Sequence, residues 1–249
     1  MTYPNFKNKH LEKALINPES FTSWEKFKHL KIKNKPNKFI FIYYPYILNY
    51  FRRKYKPTKL KLYRLLTIYQ YKNIGLIPLT GIGSPNAVVV FEEIFALGGK
   101  EYINIGSAGG LDGFGTFLCE AAVRDEGTSY HYEAHGKLSY PDEKLTEKFG
   151  EYIKKQGLNF KKTKTWTVDA PYRETINELH HYKKLGVKTV EMEASALFTV
   201  AKFRKVKMAA AFVVSDLLLP DKWNPAFDSK HVKQDLKKLL DAAVECLIN

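Results

Sequence analysis

Seven consecutive apolar residues, Met208-Ala-Ala-Ala-Phe-Val-Val214, carry no charge and stop at Ser215-Asp216. An unbroken apolar run of this kind, without polar alternation, is the signature of a central strand buried on both faces. It dictates a sheet covered by helices, and the rest of the chain must supply both. Phe39-Ile-Phe-Ile-Tyr-Tyr44 is aromatic and β-branched and reads as a strand, as do Leu62–Tyr71 and Ile74–Leu79. Ser84-Pro85 is a helix start, with Ser as N-cap and Pro in the first position, and Gly98-Gly99 stops that helix after Leu97. Tyr102–Ile105 reads as a short buried strand, broken by Gly106-Ser-Ala-Gly-Gly110. Phe117–Val123 and Thr163–Val168 read as further strands, with a helix at Asp142–Gln156 between them. A helix over Tyr172–Lys184 precedes the strand end Thr189-Val190, and another runs from Glu191-Met-Glu193 to Arg204. The last helix spans Ser229–Leu247, with Val232, Leu236, Leu239, Leu240, Ala243 and Leu247 on one face. This alternation predicts one α/β domain over residues 38–249, with a mixed, mainly parallel central sheet flanked by helices.

Residues 1–37 read as a basic N-terminal extension, with short helices at Leu11–Ile16 and Phe21–Leu30 and a Lys/Asn/Pro linker behind them. Charge is distributed unevenly. Residues 1–72 hold seventeen Lys or Arg and three acids, a surplus of fourteen that equals the whole net charge of +14. No acid lies between Glu25 and Glu92. Such a segment could attract phosphate, an acidic partner or nucleic acid, or be a solvated lysine-rich surface. It contains no RNA-binding motif, so nucleic acid is not the expected partner. Cys119 and Cys246 are too few and too far apart for a disulfide framework or a zinc site, which suits a reducing compartment and no metal. The N-terminus has no secretory h-region, and the apolar run Phe39–Leu48 is well short of the about 20 residues that span a bilayer. The expectation is a soluble cytoplasmic protein without a membrane partner.

Three polar clusters fall where strands end, the usual place for ligands in open α/β sheets. Gly81-Ile-Gly83, leading into a helix, can present backbone N–H groups to an anion, or be a plain tight turn. Gly106–Gly110 offers the same choice, with the Ser107 hydroxyl added. Glu191 and Glu193 could hold sugar hydroxyls, or complement a helix dipole. Asp216 ends a very apolar strand, where burial favours the neutral acid and lets it donate a proton; it could also be a cap.

Taken together, Gly81-Ile-Gly-Ser-Pro-Asn86, Tyr102-Ile-Asn-Ile-Gly-Ser-Ala-Gly-Gly-Leu111, Val190-Glu-Met-Glu-Ala-Ser195 and Val213-Val-Ser-Asp216 resemble the purine nucleoside phosphorylase and uridine phosphorylase family. That family also includes the methylthioadenosine/adenosylhomocysteine nucleosidases. The resemblance covers residues 70–248 well and 38–70 poorly. It implies a pentosyltransferase of nucleotide salvage that splits the N-glycosidic bond of a purine (deoxy)ribonucleoside with phosphate, giving free base and pentose-1-phosphate. Ser107 and the Gly81–Gly83 turn would face phosphate. Glu193 would bind the ribose 2′- and 3′-hydroxyls with Glu191 beside it, and Met192 would pack on the sugar. Asp216 would serve the purine N7. Ala108, Gly109, Trp166, Tyr172 and Arg173 would line the substrate pocket, with Tyr172 as the stacking candidate. No cofactor is implied beyond phosphate as co-substrate, and the family suggests a homo-oligomer, a dimer or hexamer.

Two departures bear on the nucleophile. The family's Pro-Gly-Asp-Pro-like loop and its arginine are replaced by Tyr43-Tyr-Pro-Tyr-Ile47, and Asn104 stands where a second phosphate-binding arginine is usual. Arg52, Arg53, Lys54 and Arg64 could supply the charge, across a subunit interface. The glutamate by which the nucleosidases activate water is also absent, since no acid follows the first strand. Hydrolysis, and a nucleoside-binding homologue without turnover, are the alternatives to phosphorolysis.

Overall fold

The computed structural model describes residues 4–6, 8–22, 35–62 and 66–249. All its strands join one sheet, in the order β11-β10-β6-β8-β9-β5-β1-β4-β3-β2, with β7 on the side of β6. The strands are β1 (Lys38–Ile42), β2 (Thr58–Lys61), β3 (Thr67–Tyr71), β4 (Ile74–Pro78), β5 (Glu101–Gly110), β6 (Thr116–Asp125), β7 (Leu138–Ser139), β8 (Phe160–Val168), β9 (Val187–Glu191), β10 (Lys207–Leu218) and β11 (Trp223–Pro225). The helices are α1 (Pro18–Thr22), α2 (Pro45–Tyr55), α3 (Ser84–Ala96), α4 (Glu143–Lys155), α5 (Ile176–Lys184), α6 (Ala194–Arg204) and α7 (Lys230–Ile248). The sheet is mixed, and its longest ladders, β10 on β5 and β6 on β8, are parallel.

The sheet also closes on itself. β10 pairs with β6 on one side and β5 on the other, while β5 reaches β9 and β9 reaches β8. The ring β5-β9-β8-β6-β10 therefore brings the ends of β9 and β10 to opposite flanks of β5. Helices cover both faces. Residues of α4 and α7 join Ile103, Ala209 and Val213 in one apolar cluster, and residues of α3 and α6 join Tyr102, Met208 and Phe212 in another.

Two expected strand breaks do not occur. β5 continues through Gly106–Gly110, and β10 passes Asp216 to Leu218. The glycines of β5 mark close packing, not a turn: a Cβ at Gly106 would stand 3.2 Å from the Tyr43 ring, and one at Gly110 would stand 2.7 Å from Val214 and 2.9 Å from the Gly113 carbonyl. In β10 the ladder to β5 skips from Val214 to Asp216, which makes Ser215 the extra residue of a β-bulge. Bulges re-aim side chains, and this one sets Asp216 opposite Gly109.

Helix α2 was not among the expected elements. Pro45 opens it, and Ile47 and Phe51 bury its inner face. Its outer turns are pinned to α7 by buried Asp241, which accepts hydrogen bonds from Tyr50 (2.7 Å), Lys54 (2.8 Å) and Tyr55 (2.7 Å). The helix expected from Tyr172 starts at Ile176 instead, behind a capping box of Thr175 and Glu178, and Pro171–Arg173 form a single 3-10 turn. In the extension, Leu11–Ile16 is not the expected helix; a 3-10 turn at Lys9–Leu11 precedes α1. Leu11, Leu15 and Ile16 are exposed, so no apolar face holds a helix there. The segment 23–30 of the second expected helix lies outside the described residues. No described helix is long and apolar enough to cross a membrane.

Candidate functional site

The site is assembled at the β9–α6 junction. Glu191 ends β9, and its Oε2 accepts from the backbone N–H of Glu193 (2.9 Å) and Ala194 (2.8 Å), the first orphan donors of α6. Its Oε1 accepts from Thr167 Oγ1 at 2.6 Å. Both Glu191 oxygens are thus engaged by protein donors, Thr167 and the start of α6. Glu193 points across to the turn before α3, where the Gly83 N–H donates to its Oε1 at 2.6 Å. Ser84 Oγ donates to the Met192 carbonyl at 2.7 Å, so two bonds staple the glycine turn to the glutamate pair. Gly83 has φ +98°, a backbone that glycine tolerates and side chains resist.

Both carboxyl groups are buried. Burial pushes Glu193 up from the ordinary carboxylate value, and the neighbouring Glu191 adds to it. Glu191 is raised by burial too, opposed by its bonds from Thr167, Glu193 and Ala194. Two carboxylates this close resist ionising together.

Asp216 lies opposite, at the β10 bulge. Ser215 Oγ donates to its Oδ1 at 2.9 Å, and the Trp223 indole N–H donates to its Oδ2 at 2.7 Å. Glu174, after the 3-10 turn, is raised to about 7 by burial, then by Asp216 and Glu178. Asp216 and Glu193 are joined through the end of β1. The Tyr44 phenol meets Ser107 Oγ at 2.5 Å and feels both carboxylates; burial raises it, the Ser107 bond opposes, and Asp216 then Glu193 raise it further. Tyr43 OH donates to Asn104 Oδ1 at 2.9 Å, and burial followed by Glu193 and Glu191 lifts that phenol well above its ordinary value.

Of the sequence-predicted residues, the fold brings together Gly83, Ser107, Met192, Glu193 and Asp216. Ala108 and Gly109 serve the scaffold: the Ala108 carbonyl faces Ser215 Oγ at 3.4 Å, and a Cβ at Gly109 would stand 2.4 Å from Leu218 and 2.9 Å from Val190. Gly81 is exposed at the turn, its carbonyl held by Asn86 Nδ2 at 3.0 Å. Trp166 is not a pocket wall. It is fully buried among Leu111, Val168, Leu179, Val187 and Val190, stacks obliquely on Tyr182 at 4.6 Å, and donates its indole N–H to Asp125 at 2.8 Å. Tyr172 is 99% exposed and Arg173 is exposed, so neither closes on the site in this state. Arg52 and Arg53 face a separate cavity with Lys56 and Lys59. Lys54 is committed to Asp241, and Arg64 lies outside the described residues.

Reading the sequence missed Tyr44, Thr167 and Trp223. Tyr44 carries a usable signal, since it directly follows a strand predicted to enter the site. Trp223 carries none, because its contact with Asp216 depends on the β10–β11 turn.

A closed mixed sheet with a buried glutamate at one strand end and an aspartate at another defines an α/β protein with a candidate small-molecule site. The phosphorylase superfamily model matches residues 50–245, and the chain belongs to that family. It is 27% identical over 182 residues to purine nucleoside phosphorylase from Plasmodium vivax, covering 66% of this chain and 70% of that protein. Among solved structures, purine nucleoside phosphorylase from Toxoplasma gondii superposes with TM-score 0.74 at 20% identity, over 86% of this chain and 91% of that one. AMP nucleosidase from Bacteroides thetaiotaomicron does so with TM-score 0.70 at 22% identity, over 85% and 89%. Those two likenesses establish the fold.

Proposed function

We propose that the protein cleaves the N-glycosidic bond of a purine nucleoside, with inorganic phosphate as nucleophile, releasing the base and a pentose-1-phosphate. The observation that carries this reading is the buried Glu193 carboxyl, aimed by the Gly83 N–H, with Asp216 across the site. A carboxylate can accept the ribose 2′- and 3′-hydroxyls side by side. Bond breaking makes the sugar oxocarbenium-like and the purine anionic. Asp216, held at both oxygens, meets the leaving base and passes it a proton or a hydrogen bond as that charge develops. The glycine turn before α3 and the Ser107 hydroxyl supply donors for the attacking phosphate. The gain comes from positioning and fixed dipoles.

Hydrolysis is the second reading, and one observation favours it: the Ser107 hydroxyl is bonded to the Tyr44 phenol, which feels the Asp216 and Glu193 carboxylates and no cation. A phosphate dianion meets little compensating charge there within one chain. Incubating the purified protein with inosine, adenosine or methylthioadenosine, with and without phosphate, and identifying the sugar product separates the two. Pentose-1-phosphate formed only with phosphate supports phosphorolysis. Free pentose at equal rates in both replaces it with hydrolysis. Purine nucleoside binding without any product would leave a binding protein.

A further inference from the structure

The basic run that the site leaves unused forms a cavity of its own. It has about 630 Å³ and is lined by Asn49, Arg52, Arg53, Lys56, Lys59 and Tyr69, with Pro57. That size suits a nucleotide-sized ligand. The cavity lies where the end of α2 meets the sheet-edge strands β2 and β3, and shares no residue with the Glu193–Asp216 site.

The lining carries four cations and no carboxylate. Elsewhere the molecule pairs its cations readily: Lys38 and Lys207 with Glu101, Arg204 with Glu92, Lys188 with Asp112, Lys233 with Asp228. Lys54, inside the same run, turns away to Asp241. Among the described residues, Arg52, Arg53, Lys56 and Lys59 have no acidic partner, and no acid between Glu25 and Glu92 could supply one locally. Cations in the last turn of α2 would complement its dipole. That accounts for Arg52 and Arg53 but not for Lys56 and Lys59, which lie beyond the helix. Edge-strand lysines deter strand pairing, which accounts for Lys59 but not for its convergence with two arginines on one concavity. A concave surface lined by one sign of charge concentrates counter-ions, and guanidinium forks bind phosphate oxygens bidentately.

We propose that this cavity binds a small anion carrying several phosphate groups, at a site separate from the cleavage centre. The inference does not rest on the proposed reaction. The test is calorimetric titration of the full chain with inorganic tripolyphosphate at fixed ionic strength, with sulfate and a short single-stranded RNA as comparison arms. The expected result is saturable tripolyphosphate binding about tenfold or more tighter than sulfate. The double variant Lys56→Gln/Lys59→Gln should weaken it about tenfold, while Lys61→Gln, on the same strand but outside the lining, should not. A thermal melt confirms that each variant is folded. Three outcomes overturn the proposal: sulfate binding as tightly as tripolyphosphate, equal losses in all variants, or RNA binding more tightly than tripolyphosphate. The last would make the surface a nucleic-acid track.

Discussion

At the scale of single residues, the site depends on which carboxylates are committed and which are free to act. Glu191 and Glu193 are two positions apart, yet one caps a helix and the other faces the turn of α3. The sequence left both as ligand or dipole partner; only the direction of the chain after β9 separates them. Glu193→Gln keeps an acceptor for the Gly83 N–H and removes the charge. We expect kcat to fall about 100-fold or more, the usual cost of losing one preorganised electrostatic group, with the protein still folded; steady-state kinetics beside a thermal melt checks this. Trp223 is the residue that sequence reasoning could not have found. Trp223→Phe keeps the ring but leaves Asp216 Oδ2 without its indole donor. A hydrogen bond of this kind contributes about 0.5–1.5 kcal/mol, so kcat should drop several-fold, measured by steady-state kinetics beside a thermal melt. An unchanged kcat would reduce Trp223 to a surface residue. Tyr44→Phe tests the nucleophile side: the apparent KM for phosphate should rise several-fold, with the nucleoside KM nearly constant, in a two-substrate kinetic series.

Among elements, the legible ones were those whose pattern agrees with their environment. The one-faced α7 was predicted close to its observed bounds, and the all-apolar β10 at its start, though it runs on past Asp216 to Leu218. The failures share a cause. Gly106–Gly110 carries the turn chemistry of a break, but in β5 those glycines make room for Tyr43, Val190, Val214 and Leu218, so a strand continues where local propensity ends it. The tyrosine-rich α2 has strand propensity, overridden by Ile47 and Phe51 in the core and by three donors on Asp241. Tertiary packing decides both, and a single sequence does not display it. The glycine reading makes a prediction. In Gly110→Ala the new Cβ would meet Val214 and the Gly113 carbonyl within 3 Å. Overpacking of this kind costs about 1–3 kcal/mol, so the denaturation midpoint should fall. Turnover should fall more steeply than the loss of folded protein, because β5 sets the spacing between Glu193 and Asp216.

For the whole molecule, the buried acid pair couples folding to pH and to ligand. The alternation of strands and helices made the α/β class legible, but closure of the sheet into a ring was not, because it depends on β10 pairing at both edges. That closure buries Glu191 and Glu193 together, and both are raised above the ordinary carboxylate value. A raised acid holds its proton more tightly in the folded state than in the unfolded one. Its contribution is therefore most favourable at low pH and is lost as pH rises from the unfolded value, about 4.3, toward the raised folded values. Relative to Glu193→Gln, which cannot ionise, the ligand-free wild type should lose stability steadily over that window and level off above it. The variant should overtake it by about 1–3 kcal/mol at the alkaline end, since an uncompensated buried charge is costly. Chemical denaturation of both proteins at half-unit steps from about pH 5 to about pH 9 measures the difference directly. Parallel curves would mean that the pair does not store this charge. Adding a purine nucleoside should shrink the difference, because ribose hydroxyls would replace the solvation the carboxylate has lost; no change on adding nucleoside would argue against the sugar contact at Glu193.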